Sequence, residues 1–356
     1  MTGPLNVNEV IDGRYQIKSY IDKGGMQYVY KANDLILNRL VALKTPQNPS
    51  AEKRFKRSAV VAAKVNHPNV AKTLDYFEID RRQYLIEELI EGGDLDKTIL
   101  QKVKYIDPYL VAKIFHYLAK GVAASHHVGV IHRDLKPTNI MVLGGLHVNS
   151  IKITDFGIAK MAEEELIEAI KDGDEATIGK SLTVVGALPY MAPEVIRTPR
   201  EVSFPSDIWS LGAMMFELLT GEKPFGTGLI VIHKIIEALP PEFPRFITNN
   251  AQFSYLSKKL IEIILSCLQK DAAIRPTADQ LVERCGTLCY PMSERHIGIV
   301  REIKYNSWGS ISNGGENIFF HLDSVYGDRP KEGDQVWFSK FPGVPNCRAH
   351  PVVCLK

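Results

Sequence analysis

The stretch HRDLKPTNIMVLGGLHVNSIKITDFG, residues 132–157, decides the fold of this chain. It contains two carboxylates and one amide that its motifs single out: Asp134, Asn139 and Asp155. Phosphoryl transfer needs one carboxylate to orient the attacking hydroxyl, and a second carboxylate with an amide to hold metal ions that neutralise the phosphate charge. The stretch therefore predicts phosphoryl-transfer chemistry.

Length and composition favour a globular protein of two or three domains. The chain has 356 residues, of which 45% are hydrophobic and 24% charged, so a disordered or fibrous protein is excluded for most of it. A formal net charge of +2 gives no general attraction to nucleic acid or to an anionic membrane. The few cysteines, five in number, favour reduced thiols and a cytoplasmic location. Neither a signal peptide nor a membrane-spanning run is visible.

The hydrophobic pattern divides the chain into three parts. Residues 15–84 are mostly short β-rich runs, interrupted by one basic helical segment at 50–66. Helical spacing then dominates, beginning at Asp107 and Pro108 and continuing in further predicted helices at Pro205–Thr220, Gly228–Ala238 and Phe253–Leu268. Aromatic and β-branched runs with turn residues follow a boundary near Pro291, which predicts a small all-β barrel.

Several motifs together resemble one enzyme family. VALK at 41–44, HRDLKPTN, DFG, YMAPE at 190–194 and DIWSLG at 207–212 occur in the order typical of bacterial eukaryotic-like (Hanks-type) serine/threonine protein kinases. The resemblance covers roughly residues 15–288. It implies an α+β, two-lobed protein kinase fold with a strand-rich N-lobe and a helical C-lobe.

The resemblance also implies roles for individual residues. It makes Asp134 the catalytic carboxylate, directs Lys136 at the γ-phosphate and Lys44 at the α- and β-phosphates, and lets Arg133 read phosphorylation of the activation loop. The implied cofactors are ATP and Mg²⁺, with Asn139 and Asp155 as metal ligands. The expected nucleotide pocket consists of Ile21, Gly24, Gly25, Val29, Ala42, Lys44, Glu87, Glu88, Leu89 and Met141. Structural roles are implied for Asp207, which anchors the catalytic loop, and for an ion pair between Glu194 and Arg275.

The phosphate-binding loop departs from the family pattern. In IDKGGMQYVY, residues 21–30, Gly24 is the central glycine, but Asp22 and Gln27 stand where the family has two others. Glycine there lets backbone amides approach the phosphates. We expect Lys23 and Lys31 to offset part of the charge of Asp22, and the Gln27 amide to be able to donate to a phosphate.

Three further departures surround the same pocket. Ser58 stands where a helix glutamate normally pairs with the strand lysine, and Ala187 replaces a threonine beside the catalytic loop. Glu87 falls at the gatekeeper position at the back of the pocket, where a buried carboxylate needs a partner. We hypothesise that Glu87 replaces the missing glutamate and pairs with Lys44. The alternative is a one-residue misalignment that leaves Glu87 exposed.

The C-terminal part is similar to a cold-shock domain, a five-stranded OB barrel. The similarity rests on HIGIVREI at 296–303, WGSI at 308–311, NIFFHLDSV at 317–325 and EGDQVWF at 332–338. Alternation puts Phe319 and His321 on one face and Ile318 and Phe320 inside the barrel. The resemblance implies that Trp308, Phe319 and His321 stack on bases of single-stranded RNA or DNA. Ser310 at a usual aromatic position and a weak positive charge are unfavourable for nucleic-acid binding, and a protein-contact or docking role is the open alternative.

The sequence therefore predicts residues 1–14 as an N-terminal extension, 15–289 as a protein kinase domain and 290–356 as a cold-shock-like OB domain. The expected function is transfer of phosphate from ATP to a serine or threonine hydroxyl of a protein substrate, with no membrane partner. Two alternatives remain open: a pseudokinase scaffold that binds nucleotide weakly, and an adaptor whose active part is a nucleic-acid-binding tail.

Overall fold

The computed structural model describes residues 3–23, 27–47, 49–156, 186–198, 202–228, 231–239, 241–291 and 293–356. Within these ranges the chain forms a strand-rich lobe, a helical lobe and a barrel, in that order. Gly24, Gly25 and Gly157, the acidic segment at 163–175 and the hydroxyls of Thr177, Ser181 and Thr183 lie outside the described residues.

The first lobe is an antiparallel sheet with one helix. Its strands are β1 (Val10–Ile11), β2 (Tyr15–Lys23), β3 (Gln27–Asp34), β4 (Arg39–Pro46), β5 (Thr73–Ile79) and β6 (Arg82–Glu88), in the order β1-β2-β3-β4-β6-β5. Strand β1 belongs to the segment expected as an extension, and it carries Ile11 into the core of the sheet. Helix α1 (Pro49–Ala62) packs Phe55 and Ala59 against Leu85 of β6.

The second lobe is helical. Its described helices are α2 (Pro108–His127), α3 (Pro193–Arg197), α4 (Phe204–Thr220), α5 (Val231–Glu237), α6 (Phe246–Asn249), α7 (Ser254–Cys267) and α8 (Ala278–Gly286). A three-stranded sheet of β7 (Gly92–Asp94), β8 (Ile140–Leu143) and β9 (Ser150–Ile153) lies beside them. Helix α2 begins where the sequence predicts, because Asp107 caps it by accepting a hydrogen bond from the amide of Leu110 at 3.3 Å. Helix α4 ends at Gly221, which has a φ of 77°.

The C-terminal part is a closed barrel of five strands. They are β10 (Arg295–Lys304), β11 (Trp308–Asn313), β12 (Glu316–His321), β13 (Gln335–Phe341) and β14 (Arg348–Cys354), in the order β10-β11-β12-β14-β13. The pairing of β12 with β14 is parallel, and the other pairings are antiparallel. Ile318 and Phe320 are buried in the barrel core, as the alternation predicts.

The barrel packs against the helical lobe, near the start of α2 and the end of α4. Tyr326, Trp337 and Val353 of the barrel belong to the same hydrophobic core as the helices. The Tyr326 hydroxyl donates to the carbonyl of Leu219 at 2.9 Å. A buried ion pair joins Arg295 of the barrel to Asp107, with 2.7 Å between Nη2 and Oδ2.

In the ranges that the structure describes, no helix is both long enough and apolar enough to span a bilayer.

Candidate active site

The backbone of the catalytic loop between α2 and β8 is anchored by the side chain of Asp207. The Asp207 carboxylate accepts hydrogen bonds from the amides of His132 and Arg133, both at 2.9 Å. Arg133 has a φ of 74°, a left-handed conformation that a non-glycine residue keeps only when its surroundings hold it. Asp207, at the start of α4, holds the loop backbone in this conformation. Its anchoring role is the one that the sequence predicts.

Asp134 is braced by two side chains of its own loop. Its Oδ2 lies 2.8 Å from Lys136 Nζ and accepts a hydrogen bond from Asn139 Nδ2 at 2.9 Å. Asn139 also donates to the backbone carbonyl of Asp134 at 2.7 Å. The amide nitrogen of Asn139 therefore faces Asp134, which leaves its amide oxygen available to a ligand.

Lys44 lies between two carboxylates. Its Nζ is 2.7 Å from Glu87 Oε2 and 2.8 Å from Asp155 Oδ1. Glu87 is on β6, which pairs directly with β4, so the Lys44 and Glu87 side chains come from neighbouring strands of one sheet. The hypothesised pairing is thus present in the structure. The alternative with an exposed Glu87 is wrong, because only 6% of that residue is exposed.

The charges of this cluster follow from burial and proximity. Burial opposes the Lys44 ammonium, but Asp155 and Glu87 outweigh that effect and raise the pKa of Lys44. Burial also disfavours an ionised Asp155, yet Lys44 and the Gln27 amide lower the pKa of Asp155 below its ordinary value. For Glu87 burial dominates and raises the pKa. Lys44 therefore stays an ammonium, and Asp155 stays a carboxylate.

Helix α1 contacts the segment after Asp155. The buried hydroxyl of Ser58 donates a hydrogen bond to the backbone carbonyl of Phe156. A serine at this position thus holds the backbone next to the metal-ligand candidate, while the partner of Lys44 comes from β6.

Asp22 and Gln27, the replaced glycine positions, contact the helical lobe. The Asp22 carboxylate lies 2.9 Å from Lys97 Nζ, whereas Lys31, which was expected to offset it, lies 3.8 Å from Glu91. The Gln27 amide, expected to be available for a phosphate, donates to Asp155 Oδ1 at 2.9 Å. The glutamine in place of a glycine is a sequence signal for an unusual contact, but nothing in the sequence indicates Asp155 or Lys97 as the partners.

The other expected pocket residues lie on strands that flank the cleft. Val29 and Ala42 are on β3 and β4, and Met141 is on β8. Ile21 is 48% exposed, and Leu89 follows β6. Their nucleotide contacts stay predictions. Glu88 binds Lys152 through both carboxylate oxygens, at 2.6 and 2.7 Å.

A small cavity lies beside Asp134. Its lining includes Arg133, Asp134, Ala187, Tyr190 and Met191. Ala187 is buried there, so the residue that replaces the family's threonine does sit next to the catalytic loop.

The expected ion pair of the helical lobe is also present. Arg275 Nη1 and Nη2 donate to Glu194 Oε1 and Oε2 at 2.7 and 2.8 Å. This two-bond geometry is typical of strong structural pairs.

The donor atoms fit a hard divalent cation. Among the described residues, the contact of Asp155 Oδ2 is a long one of 3.5 Å to the Thr154 hydroxyl, and Asn139 offers its amide oxygen. Carboxylate and amide oxygens are ligands that Mg²⁺ accepts. No cluster of three or more His, Cys, Asp or Glu side chains suited to a metal occurs in the described ranges.

Aromatic and basic side chains share one face of the barrel. The rings of Trp308 and Phe319 are 5.6 Å apart, and His321 lies opposite Trp308 on the neighbouring strand. Lys304 Nζ lies 5.4 Å from the Trp308 ring centre, and Arg348 Cζ lies 5.6 Å from that of Phe319. The three residues predicted to stack on bases are therefore neighbours.

Comparison with known proteins identifies the family of the first two lobes. Residues 15–285 match the protein kinase domain family. The chain is 32% identical over 287 residues to a probable serine/threonine-protein kinase of Clostridium perfringens, with 78% of this chain and 38% of that protein covered.

It is also 34% identical over 247 residues to the serine/threonine-protein kinase PrkC of Bacillus subtilis, covering 67% of this chain and 36% of PrkC. It is 32% identical over 271 residues to the serine/threonine-protein kinase PknA of Mycobacterium tuberculosis, covering 73% of this chain and 58% of PknA. The chain thus spans less than two thirds of the length of these relatives, and the family match ends before the barrel begins. From the order of its motifs, the geometry of its catalytic loop and this match, the chain belongs to the protein kinase domain family.

Proposed function

We propose that this protein is an ATP-dependent serine/threonine protein kinase that uses a divalent cation, Mg²⁺. The observation that carries the proposal is the geometry around Asp134 and Lys44: a braced carboxylate at the loop, and a buried ammonium 2.8 Å from Asp155. A scaffold that only binds a partner needs neither a braced carboxylate for a hydroxyl nor a buried ammonium for phosphates.

The residues divide the work of phosphoryl transfer. Asp134 orients the hydroxyl of the protein substrate, and Lys136 lies 2.8 Å from it as the cation for the transferred phosphate. Lys44 binds the α- and β-phosphates. Asn139 and Asp155 hold the metal, which neutralises charge on the phosphates when bound. Arg133 reads phosphorylation of the activation segment.

A phosphate-transfer assay tests this function. The full chain is incubated with γ-labelled ATP, Mg²⁺ and a generic protein substrate, beside an Asp134→Asn variant. We expect transfer to serine or threonine by the wild-type chain and a loss of at least a hundredfold in the variant. Nucleotide binding without transfer above the Asp134→Asn level would favour the pseudokinase scaffold.

A second candidate function concerns the barrel, and a specific observation favours it. The strand order, with a parallel pairing between the third and the last strand, supports an OB barrel of the cold-shock kind. The Trp308, Phe319 and His321 face, with Lys304 and Arg348 beside it, suits stacking on single-stranded RNA or DNA. In this proposal the barrel directs a cytoplasmic kinase to its target.

Filter binding of a labelled oligonucleotide by the full chain tests the barrel. We expect Phe319→Ala to weaken binding about tenfold, because stacking on one base contributes about 1–3 kcal/mol. Tyr255→Ala on α7 is the control, since this tyrosine is 77% exposed and does not belong to the Trp308, Phe319 and His321 face. Equal retention by the Phe319→Ala and wild-type chains contradicts the proposal and favours a protein partner.

A further inference from the structure

Gln27 connects the two lobes inside the nucleotide cleft. It is the first residue of β3, where its backbone pairs with Pro46 of β4 in the strand-rich lobe. Its side chain crosses to Asp155, which comes after β9 in the helical lobe and is 128 positions away in sequence. Only 5% of Gln27 is exposed, so solvent does not replace this hydrogen bond easily.

The two oxygens of the Asp155 carboxylate have different surroundings. Oδ1 accepts hydrogen bonds from Lys44 Nζ at 2.8 Å and from Gln27 Nε2 at 2.9 Å. In the part of the chain that the structure describes, Oδ2 has a single contact, the 3.5 Å one with the Thr154 hydroxyl. Two donors on one oxygen fix the rotation of the carboxylate, and no described residue places a donor closer than 3.5 Å to the second oxygen.

The chemistry of the amide suits this task. Asp155 has a φ of 60°, so regular strand geometry does not set the direction of its side chain. A second lysine at position 27 would also orient the carboxylate, but its charge would repel the metal. A neutral N–H donor orients without that repulsion.

We propose that Gln27 is a positioning residue for metal-assisted nucleotide binding: its amide, together with Lys44, holds Oδ1 of Asp155, and Oδ2 would be the oxygen that binds the cation. The inference rests on the proposed function, because it takes Asp155 as the metal ligand. It explains why a bulky side chain occupies a glycine position of the phosphate loop.

The alternative explanation is that glutamine only stiffens the loop. Two variants separate these effects. Gln27→Ala removes the amide and keeps a β-carbon, whereas Gln27→Gly also restores backbone freedom. If the amide is responsible, both variants lose the same property. If stiffness is responsible, only Gln27→Gly differs from the wild type.

The test measures binding of a fluorescent ADP analogue to the full chain, once with Mg²⁺ and once with EDTA. We expect Gln27→Ala and Gln27→Gly to weaken binding about three- to tenfold with Mg²⁺ and to change it less than twofold with EDTA. Gln16→Ala is the control, because Gln16 lies in the same hairpin at its far end, opposite Asn33. It should match the wild type in both conditions.

Other outcomes overturn the inference. These are an equal loss with and without Mg²⁺, an effect of Gln27→Gly alone, or a wild-type affinity that does not depend on Mg²⁺. If Gln27→Ala lowers the melting temperature, Gln27→Asn replaces it, since that amide is one methylene too short to reach Asp155. The same dependence on Mg²⁺ is then expected.

The measurement is independent of turnover. A wild-type chain that transfers phosphate, together with variants that bind like it in Mg²⁺, would overturn the inference and leave the proposed function intact. If the wild-type chain transfers no phosphate but the Gln27 variants show the Mg²⁺-specific loss of binding, the proposed function is overturned and the role of Gln27 stands.

Discussion

At the scale of single residues, the most consequential change is the origin of the carboxylate that pairs with Lys44. Glu87 comes from the strand next to Lys44, and 2.7 Å separates their charged atoms. A pair formed between hydrogen-bonded strands does not depend on the position of helix α1. The hydrogen bond that helix α1 makes at this position goes from Ser58 to the backbone carbonyl of Phe156 and not to the lysine.

Replacing Glu87 by glutamine tests this pair. We expect Glu87→Gln to lower kcat/KM for phosphate transfer at least tenfold, because the buried ammonium of Lys44 loses one of its two carboxyl partners. The matched control is Glu78→Gln, an exposed glutamate on the adjacent strand β5. Activity of Glu87→Gln within about twofold of the wild type contradicts the role of Glu87.

Restoring a glutamate at position 58 provides a second test. Ser58 is buried beside Phe156, and Lys44 already faces two carboxylates. We expect Ser58→Glu to lower the free energy of unfolding in urea by about 2 kcal/mol or more, because the new charge has no free partner. Val60→Glu, on the exposed side of the same helix, should change it by less than about 0.5 kcal/mol. Equal stability of Ser58→Glu and wild type would show that Lys44 accepts a third acid.

The sequence predicts part of this site and not the rest. The Glu87 and Lys44 contact was accessible because the resemblance places Glu87 at the gatekeeper position, where a buried carboxylate needs a partner. The Gln27 and Asp155 contact was not, since it depends on how far a loop side chain reaches across the cleft. The Asp22 and Lys97 contact joins residues from different lobes. The sequence around Asp22 and the sequence around Lys97 do not indicate it.

At the scale of elements, two contacts between described residues attach the β2 and β3 hairpin to the helical lobe. Asp22 near the end of β2 binds Lys97, and Gln27 at the start of β3 binds Asp155. The first contact is more than half exposed on both sides and the second is buried. The hairpin therefore has a weak outer contact and a stronger inner one.

The outer contact should respond to salt. We expect Lys97→Met to speed dissociation of a fluorescent ADP analogue about 1.5- to 5-fold at low ionic strength, the range that an exposed pair of about 0.2–1 kcal/mol allows. At 0.5 M NaCl the difference should disappear, because salt screens exposed charges. Stopped-flow fluorescence measures both rates. A difference that persists unchanged in high salt would assign the effect to something other than this ion pair.

At the scale of the whole molecule, the barrel and the helical lobe form a continuous packed unit. The sequence predicts the barrel strands and the cap at Asp107. It does not predict that Asp107 also binds Arg295, 188 residues away, because a cap and an ion-pair partner look the same in sequence. Only the fold brings the two together.

Breaking this buried pair should be costly. We expect Arg295→Met to lower the free energy of unfolding by about 3–5 kcal/mol, because Asp107 is left as a buried charge without its partner. Adding Asp107→Asn should recover most of the loss, since asparagine still caps α2 and carries no charge. Urea unfolding of the wild-type, single-variant and double-variant chains measures the difference. A double variant as unstable as Arg295→Met would contradict this account.

The same interface predicts a pH dependence. His350 stacks on Phe253 with 5.3 Å between ring centres and faces Tyr109, and burial lowers its pKa while Asp107 opposes and Arg295 adds to that shift. Below the unfolded-state pKa of about 6.5, the unfolded chain takes up a proton more readily than the folded one. Stability should therefore fall as the pH decreases from about 6.5.

Thermal unfolding between pH 7.5 and 5 checks this expectation. We expect His350→Gln to have a smaller drop in melting temperature over that range than the wild type. His147→Gln, an exposed histidine of the helical lobe, should keep the wild-type slope. Identical slopes for His350→Gln and wild type would contradict the assignment.

The shared core of barrel and helical lobe also determines how the molecule moves in solution. Tyr326, Trp337 and Val353 pack among the helices, and Lys356 donates its backbone amide to the carbonyl of Lys102 at 2.7 Å. Rotation of the barrel relative to the helical lobe would break these contacts together. A fluorophore attached to the barrel should therefore report a single rotational correlation time, that of the combined mass, and an oligonucleotide bound to its aromatic face would be carried at a constant orientation to the catalytic loop.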